Sequence, residues 1–193
     1  MSVSQYFSSD QQFLSLFSEK NKKANRIHYT PLAVAKKAAE FLCGGLGNKI
    51  LDIGSGIGKF CFTAAHYYPA YTFYGIEQRD DLIAASEKAN ETLQLSNVFF
   101  EHKNFDQITL TDYHHFYFFN SFHENIEEDK LDYQVAFSEN LYHYYNAQIH
   151  KQLSKMPTGT RIATFFTLDD IIPASYLLID THFDEGLKFY EKI

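Results

Sequence analysis

The chain has 193 residues, a formal net charge of −7 and 45% hydrophobic residues, a balance that favours one globular domain over a disordered chain. The acidic charge argues against general nucleic-acid binding, because such binding depends on neutralising phosphates. Two cysteines are too few for a disulfide scaffold or a four-ligand zinc site, and both are expected to be buried free thiols.

The sequence contains no apolar run of about 18 residues, which a membrane-spanning helix would need. The first residues also lack the basic start and apolar core of a signal peptide. We therefore expect a cytoplasmic protein with no membrane partner.

Two helices are predicted before the first strand. The first lies within residues 10–25, and the second begins at Thr30-Pro31, where threonine can cap the helix and proline suits the first helical position. It is expected to end at Gly44, because glycine is unfavourable inside a helix. Residues 1–46 are thus predicted to form a helical N-terminal cap on a core of residues 47–193.

The core alternates short apolar runs with segments of helical periodicity. The predicted strands are 49–53, 71–77, 97–101, 115–119, 161–166, 176–180 and 187–190. A long helical stretch is predicted over about 129–155, and a turn at 184–186 makes the last two strands a hairpin. The pattern predicts an α/β fold with a doubly wound, Rossmann-like sheet of seven strands and a C-terminal antiparallel hairpin.

A glycine-rich loop follows the first strand, at the carboxyl edge where such sheets bind ligands. Gly54, Gly56 and Gly58 alternate there, preceded by Asp52. The dinucleotide fingerprint G-x-G-x-x-G would need its third glycine at position 59, which is Lys59. Because an acidic residue would repel a pyrophosphate, Asp52 instead suits a ligand with a cationic amino group. Lys59 and Asp52 therefore argue against an NAD-type dehydrogenase, which we keep only as a third hypothesis.

The second predicted strand ends at Glu77, which is placed to accept hydrogen bonds from both hydroxyls of a ribose. Charge-assisted bonds of this kind contribute roughly 1.5–3 kcal/mol each. Together the glycine loop and this carboxylate indicate a nucleoside-containing cofactor.

Residues 51–60 (LDIGSGIGKF) and 73–77 (FYGIE) resemble the class I S-adenosylmethionine-dependent methyltransferases. The resemblance extends over roughly 28–193, and the loop is most similar to the non-SET histone-lysine methyltransferase branch and small bacterial relatives. It implies that S-adenosylmethionine is the cofactor and that the last strand inserts antiparallel between its neighbours.

The resemblance also implies roles for individual residues. Asp52 would hold the amino group of the cofactor, Glu77 its ribose hydroxyls, and Gln78 would lie beside the adenine. Residues 104–106 would flank the adenine and read its amine, and Tyr29 would close over the methionine carboxylate. The full implied cofactor set is Tyr29, Asp52, Gly54, Gly56, Gly58, Glu77, Gln78, Asn104, Phe105, Asp106 and Asn120.

The acceptor is expected beside the end of the fourth strand, where Asn120-Ser121-Phe122 stands in place of the relatives' Asn-Pro-Pro-aromatic motif. Asn120 and His123 are the predicted catalytic residues, the histidine as a candidate general base. We expect methyl transfer to a small molecule or a protein amine, with nucleic acid an unlikely partner and no bound metal. The alternative is a non-catalytic S-adenosylmethionine-binding or regulatory module, and the oligomeric state is open.

Overall fold

The computed structural model describes residues 2–119, 138–167 and 171–193, without the side chains of 24–28. Seven strands lie in these residues, in the regions that the apolar runs predict. They are β1 (Lys49–Ile53), β2 (Thr72–Glu77), β3 (Val98–His102), β4 (His115–Phe119), β5 (Arg161–Phe165), β6 (Tyr176–His182) and β7 (Leu187–Lys192).

The strands form one sheet in the order β3-β2-β1-β4-β5-β7-β6. The first five strands run parallel, and β7 pairs antiparallel with both β5 and β6. The predicted Rossmann-like sheet with a terminal hairpin is therefore confirmed, including the antiparallel insertion of the last strand. The chain order reverses between β1 and β4, so the carboxyl end of β1 lies at the switch point where ligands bind in such sheets.

The central strands are buried on both faces. In β1, Ile50, Leu51 and Ile53 are each at most 1% exposed, and in β4 Phe116 and Phe118 are equally buried. Continuous apolar runs of this kind are what a parallel strand covered by helices on both sides requires.

Helices cover both faces of the sheet. They are α1 (Val3–Tyr6), α2 (Asp10–Leu14), α3 (Glu19–His28), α4 (Leu32–Leu42), α5 (Lys59–Tyr67), α6 (Asp80–Leu93) and α7 (Glu139–Leu153). The apolar cluster on one face includes residues of α2 and α4–α6, and the cluster on the other includes residues of α7. Residues 129–137 of the predicted long helix lie outside the described residues.

The N-terminal region departs from the prediction of one helix within 10–25. Two helices form there, because Ser9 and Ser18 each accept a hydrogen bond from a backbone amide three residues on and so begin a new helix. The prediction that Thr30 caps α4 is also wrong. Pro31 takes the cap position, and the Thr30 hydroxyl is hydrogen-bonded instead to the hydroxyl of Tyr117 in β4, at 2.8 Å.

The N-terminal helices pack on α5 through aromatic side chains. Phe13 is fully buried, and its ring centroid lies 6.2 Å from that of Phe62. Phe7 stacks on His66 with centroids 4.3 Å apart. Because burial of one large apolar side chain contributes roughly 1.5–3 kcal/mol, these contacts hold the segment against the helix that follows the glycine loop.

Candidate functional site: the carboxyl edge of β1 and β2

The glycine loop joins β1 to α5 and is attached to the end of β2. Gly54, Gly56 and Gly58 all have positive φ, at 76°, 55° and 76°. The amides of Gly54 and Ser55 donate to the Ile76 carbonyl at 3.0 and 2.9 Å. The loop therefore turns tightly above the sheet, in a conformation that side-chain-bearing residues adopt only at a cost.

Gly58 carries a tighter steric constraint than Gly56 of the same loop. A Cβ at this position would lie 2.3 Å from Cζ of Phe100, and the Phe100 ring is packed against Phe62 with centroids 5.0 Å apart. We expect Gly58→Ala to lower the free energy of unfolding by about 2–4 kcal/mol, from left-handed strain and overpacking together.

Gly159→Ala is the matched control for this prediction, measured by chemical denaturation. Gly159 also has positive φ, at 85°, but a Cβ there would meet no atom of the described residues within 4 Å. We expect it to lose only about 1–2 kcal/mol, from strain alone. Equal losses in both variants would contradict the steric contact with Phe100.

Glu77 reaches from the end of β2 to the glycine loop. One carboxylate oxygen, Oε2, accepts from the Gly56 amide at 3.1 Å, and Oε1 accepts from the amides of Gln78 and Arg79 at 2.9 and 3.1 Å. The Arg79 guanidinium lies 3.7 Å from Oε1. Because each carboxylate oxygen has two acceptor sites, Oε2 keeps capacity for a ligand hydroxyl.

The Glu77 carboxylate is only 6% exposed. Burial raises its pKa, and the charge of Arg79 and the three amides oppose that rise. The amides thus stabilise the ionised form, which is the form that accepts hydrogen bonds from hydroxyls.

Asp52 is a second buried carboxylate at this edge, at 3% exposure. The Cys61 thiol donates to its Oδ2 at 3.7 Å, and no lysine or arginine within the described ranges forms an ion pair with it. Burial raises the pKa of Asp52 well above its usual range, and the nearby charge of Glu77 acts in the same direction. The site therefore presents a carboxylate that a cationic group would stabilise.

A narrow cavity of about 10 Å³ opens beside Asp52, about the space of one water molecule. Its polar lining includes Tyr29, Thr30, Asp52, Ser55, Lys59 and Tyr117. The Ser55 hydroxyl is buried and has no hydrogen-bond partner among the described residues. A Cβ at Gly56 would lie 3.2 Å from the Tyr29 ring, so this ring covers the glycine loop.

The predicted adenine-binding residues lie at the end of β3, beyond β2. The side-chain Nδ2 of Asn104 donates to the Tyr145 hydroxyl of α7 at 2.8 Å. The backbone amide of Asn104 donates to Oε1 of Gln107 at 2.7 Å. Phe105 is buried and Asp106 is exposed. The His102 Nε2 is 3.0 Å from the Gln78 carbonyl, which joins the β3 end to the loop after Glu77.

The structure thus brings together Tyr29, Asp52, the three glycines and Glu77. Gln78 directly follows β2, and residues 104–106 follow the neighbouring strand, β3. Asn120 and His123 lie outside the described residues. Sequence reasoning missed Lys59 and Tyr117 as parts of this site. The sequence signal for Lys59 is its position directly after the loop, where the dinucleotide fingerprint would have a glycine.

These residues fit the methyl donor that the sequence implies. A buried carboxylate with no cationic partner in the described part of the chain suits the amino group, and a second carboxylate beside the glycine loop suits a ribose. Within the described ranges, no helix has the length and apolar character to cross a membrane, and no three His, Cys, Asp or Glu side chains form a metal-binding group.

The fold and this edge together define a class I S-adenosylmethionine-dependent methyltransferase. Comparison with known families agrees: the model of the family described as "Methyltransferase domain" matches residues 46–156, more than half of the chain. The chain belongs to this family, whose cofactor is S-adenosylmethionine, and the predictions of enzyme class and cofactor are confirmed at the level of the family.

Solved structures share the fold at low sequence identity. The RNA methyltransferase from Salinibacter ruber in complex with S-adenosylhomocysteine is 16% identical, with a TM-score of 0.59 over 84% of this chain and 91% of that one. TrmN from Thermus thermophilus is 18% identical, with a TM-score of 0.64 over 91% of this chain and 52% of that one.

A curated relative is similar over a shorter segment. The tRNA (guanine-N(7)-)-methyltransferase of Prochlorococcus marinus (strain NATL1A) is 42% identical over 50 residues, which are 26% of this chain. The match spans 23% of the length of that relative.

Proposed function

We propose that this protein binds S-adenosylmethionine at the carboxyl edge of β1 and β2 and catalyses transfer of its methyl group to an acceptor. The observation that supports this most is the pair of buried carboxylates, Asp52 and Glu77, beside the glycine loop. The three glycines of that loop have positive φ. When bound, the cofactor supplies an electrophilic methyl group on a sulfonium. The task of the chain is then mainly to align that methyl group with the nucleophile.

The proposed cofactor contacts follow the positions of the side chains. Asp52 takes the amino group, Glu77 takes the ribose hydroxyls, and Tyr29 covers the methionine end. Gln78 and residues 104–106 surround the adenine, with Asn104 held by its hydrogen bond to Tyr145. Phe105 is buried in the apolar cluster that also contains residues of α7, and so anchors this loop.

The acceptor side is assigned to Asn120 and His123, which follow β4. We expect Asn120→Ala to lower turnover by more than about tenfold while leaving the Kd for S-adenosylhomocysteine within about twofold, since its role is to orient the acceptor. Steady-state kinetics and titration calorimetry measure the two effects separately. Equal losses in both would place Asn120 in the cofactor site instead.

The proposed acceptor is a small molecule or a protein amine, supported by the net charge of −7. RNA is the second candidate. It is supported by the similarity to the Prochlorococcus tRNA methyltransferase and the Salinibacter RNA methyltransferase, which weighs against the expectation that a nucleic acid is an unlikely partner.

The experiment is an incubation of the protein with S-adenosylmethionine labelled at the methyl group. Three separate acceptor pools are offered: total tRNA, a small-amine fraction and a protein extract. Glu77→Ala serves as the control, because its weaker cofactor binding should lower the labelling of every pool when S-adenosylmethionine is kept below the Kd of the variant. Label in the amine or protein pool supports the first acceptor, and label in tRNA supports the second. Binding of S-adenosylmethionine with no labelled pool would favour the non-catalytic binding module.

A further inference from the structure

Three phenylalanines meet where β4 and β5 end, at the same edge of the sheet as the glycine loop. Phe119 and Phe165 are paired across the two strands, with ring centroids 5.0 Å apart. Phe166 follows directly, and its centroid lies 4.4 Å from that of Phe165 and 6.4 Å from that of Phe119. These three residues form an aromatic corner of the sheet.

Phe166 is the exposed member of the aromatic corner. Its exposed fraction is 62%, whereas Phe165 is 6% exposed and belongs to the apolar cluster on one face of the sheet. Because apolar side chains stabilise a fold through the area that they bury, the exposed ring contributes little stability. Packing alone therefore does not account for a phenylalanine at this position.

The backbone around the aromatic corner is strained. Phe166 has a φ of 46°, in the left-handed region that bulky side chains rarely adopt. Phe183, Asp184 and Glu185, in the turn between β6 and β7, have φ values of 54°, 53° and 63°. The turn and the corner are joined, because the Phe166 amide donates to the Gly186 carbonyl at 2.8 Å. Strained residues that the surrounding structure holds in place cluster at binding and active sites.

The aromatic corner is continuous with the proposed cofactor site. Phe119 lines the cavity beside Asp52, together with Tyr29 of the N-terminal cap. The same ring lies against Phe166 on the side away from β1. Phe119 therefore connects the place proposed for the methyl donor with the exposed ring of Phe166.

We propose that Phe166 stacks on a planar aromatic ring of the methyl acceptor and so selects aromatic amines over aliphatic ones. Aromatic rings attract one another in offset or edge-to-face pairs with centroids roughly 4.5–7 Å apart, and the three rings of the corner already have similar spacings. An aromatic acceptor adds one more ring to this series, whereas a saturated ring lacks the π system that the pairing needs. The inference rests on the proposed function and adds to it the class of acceptor and the residue that selects it.

The test compares benzylamine with cyclohexylmethylamine, which carry the same aminomethyl group on an aromatic and on a saturated six-membered ring. Both are titrated by ligand-observed NMR against the protein saturated with S-adenosylhomocysteine. We expect wild type to bind benzylamine about 2- to 10-fold more tightly, the gain from one aromatic pair. Burial of apolar area alone gives no such preference, because the saturated ring is at least as apolar. Phe166→Leu keeps an apolar side chain without the aromatic ring and should bind both amines equally.

Phe99→Leu is the matched control for this variant. Phe99 is also an exposed phenylalanine, at 48%, but it lies in β3 at the other end of the sheet. The control should keep the preference for benzylamine, and both variants should bind S-adenosylhomocysteine within about twofold of wild type.

The two amines and S-adenosylhomocysteine together separate this inference from the proposed function. A wild-type protein that binds S-adenosylhomocysteine but binds neither amine, or binds both equally, overturns this inference alone. A preference that persists in Phe166→Leu, or that both variants lose, overturns it as well. A wild-type protein that does not bind S-adenosylhomocysteine overturns the proposed function and this inference with it.

Discussion

Glu77→Ala is expected to weaken binding of S-adenosylhomocysteine by about 30- to 1,000-fold, equivalent to roughly 2–4 kcal/mol. The carboxylate is buried at the end of β2 and oriented by the amides of Gly56, Gln78 and Arg79. The variant removes the carboxylate that would accept from the ribose hydroxyls. It also leaves the three backbone amides without their hydrogen-bond acceptor. Titration calorimetry at neutral pH measures the change.

The control for this prediction is Glu101→Ala, which removes a carboxylate from the neighbouring strand. Glu101 lies in β3 and is ion-paired with Lys103, and its loss should leave the affinity within about twofold. Thermal unfolding of both variants shows whether each is folded at the temperature of the titration. A loss in Glu77→Ala below about threefold would mean that Glu77 does not contact the cofactor.

Asp52→Asn is expected to weaken the binding of S-adenosylhomocysteine by about 10- to 100-fold. The same variant is expected to raise the free energy of unfolding of the protein without ligand. The affinity falls because a charge-assisted bond to the amino group is lost. The stability rises because the variant removes a buried carboxylate whose only hydrogen-bond donor among the described residues is the Cys61 thiol. Calorimetry and chemical denaturation at pH 7 measure the two opposite effects, and an affinity within threefold of wild type would contradict the assignment.

The pH dependence of stability gives a second test of the same residue. Because the folded pKa of Asp52 is raised, the folded state binds more protons than the unfolded state between the two pKa values. The free energy of unfolding of wild type, relative to that of Asp52→Asn, should therefore be largest below the ordinary pKa of an aspartate. It should then fall as the pH rises through the raised pKa. Asp112→Asn, which removes an exposed carboxylate from the chain, is the matched control variant for this measurement.

The sheet could be predicted from the sequence because its signals are local. The runs around Leu51 and Phe116 are apolar throughout, as strands buried on both faces must be. The glycines of the loop occupy positions with positive φ, and a turn residue at Gly186 separates the strands of the hairpin. Each of these features depends on a few consecutive residues.

The remaining features depend on contacts between distant parts of the chain. The pairing of Asp10 with Lys59, the hydrogen bond from Thr30 to Tyr117 and the bond from Asn104 to Tyr145 all join residues far apart in sequence. Periodicity and spacing report local conformation and do not reveal which distant polar groups will be buried together. For this reason the local sequence predicts a helix cap at Thr30 and marks Lys59 only as the residue that replaces a glycine.

Titration of the wild-type protein with S-adenosylmethionine, S-adenosylhomocysteine and NADH tests the central claim most directly. All three ligands contain adenine joined to a ribose, so NADH controls for general binding of an adenine nucleoside. The carboxylates Asp52 and Glu77 beside the glycine loop predict micromolar, one-to-one binding of both sulfur compounds and no detectable binding of NADH. Binding of NADH more tightly than either sulfur compound would contradict the account and would favour a dinucleotide site.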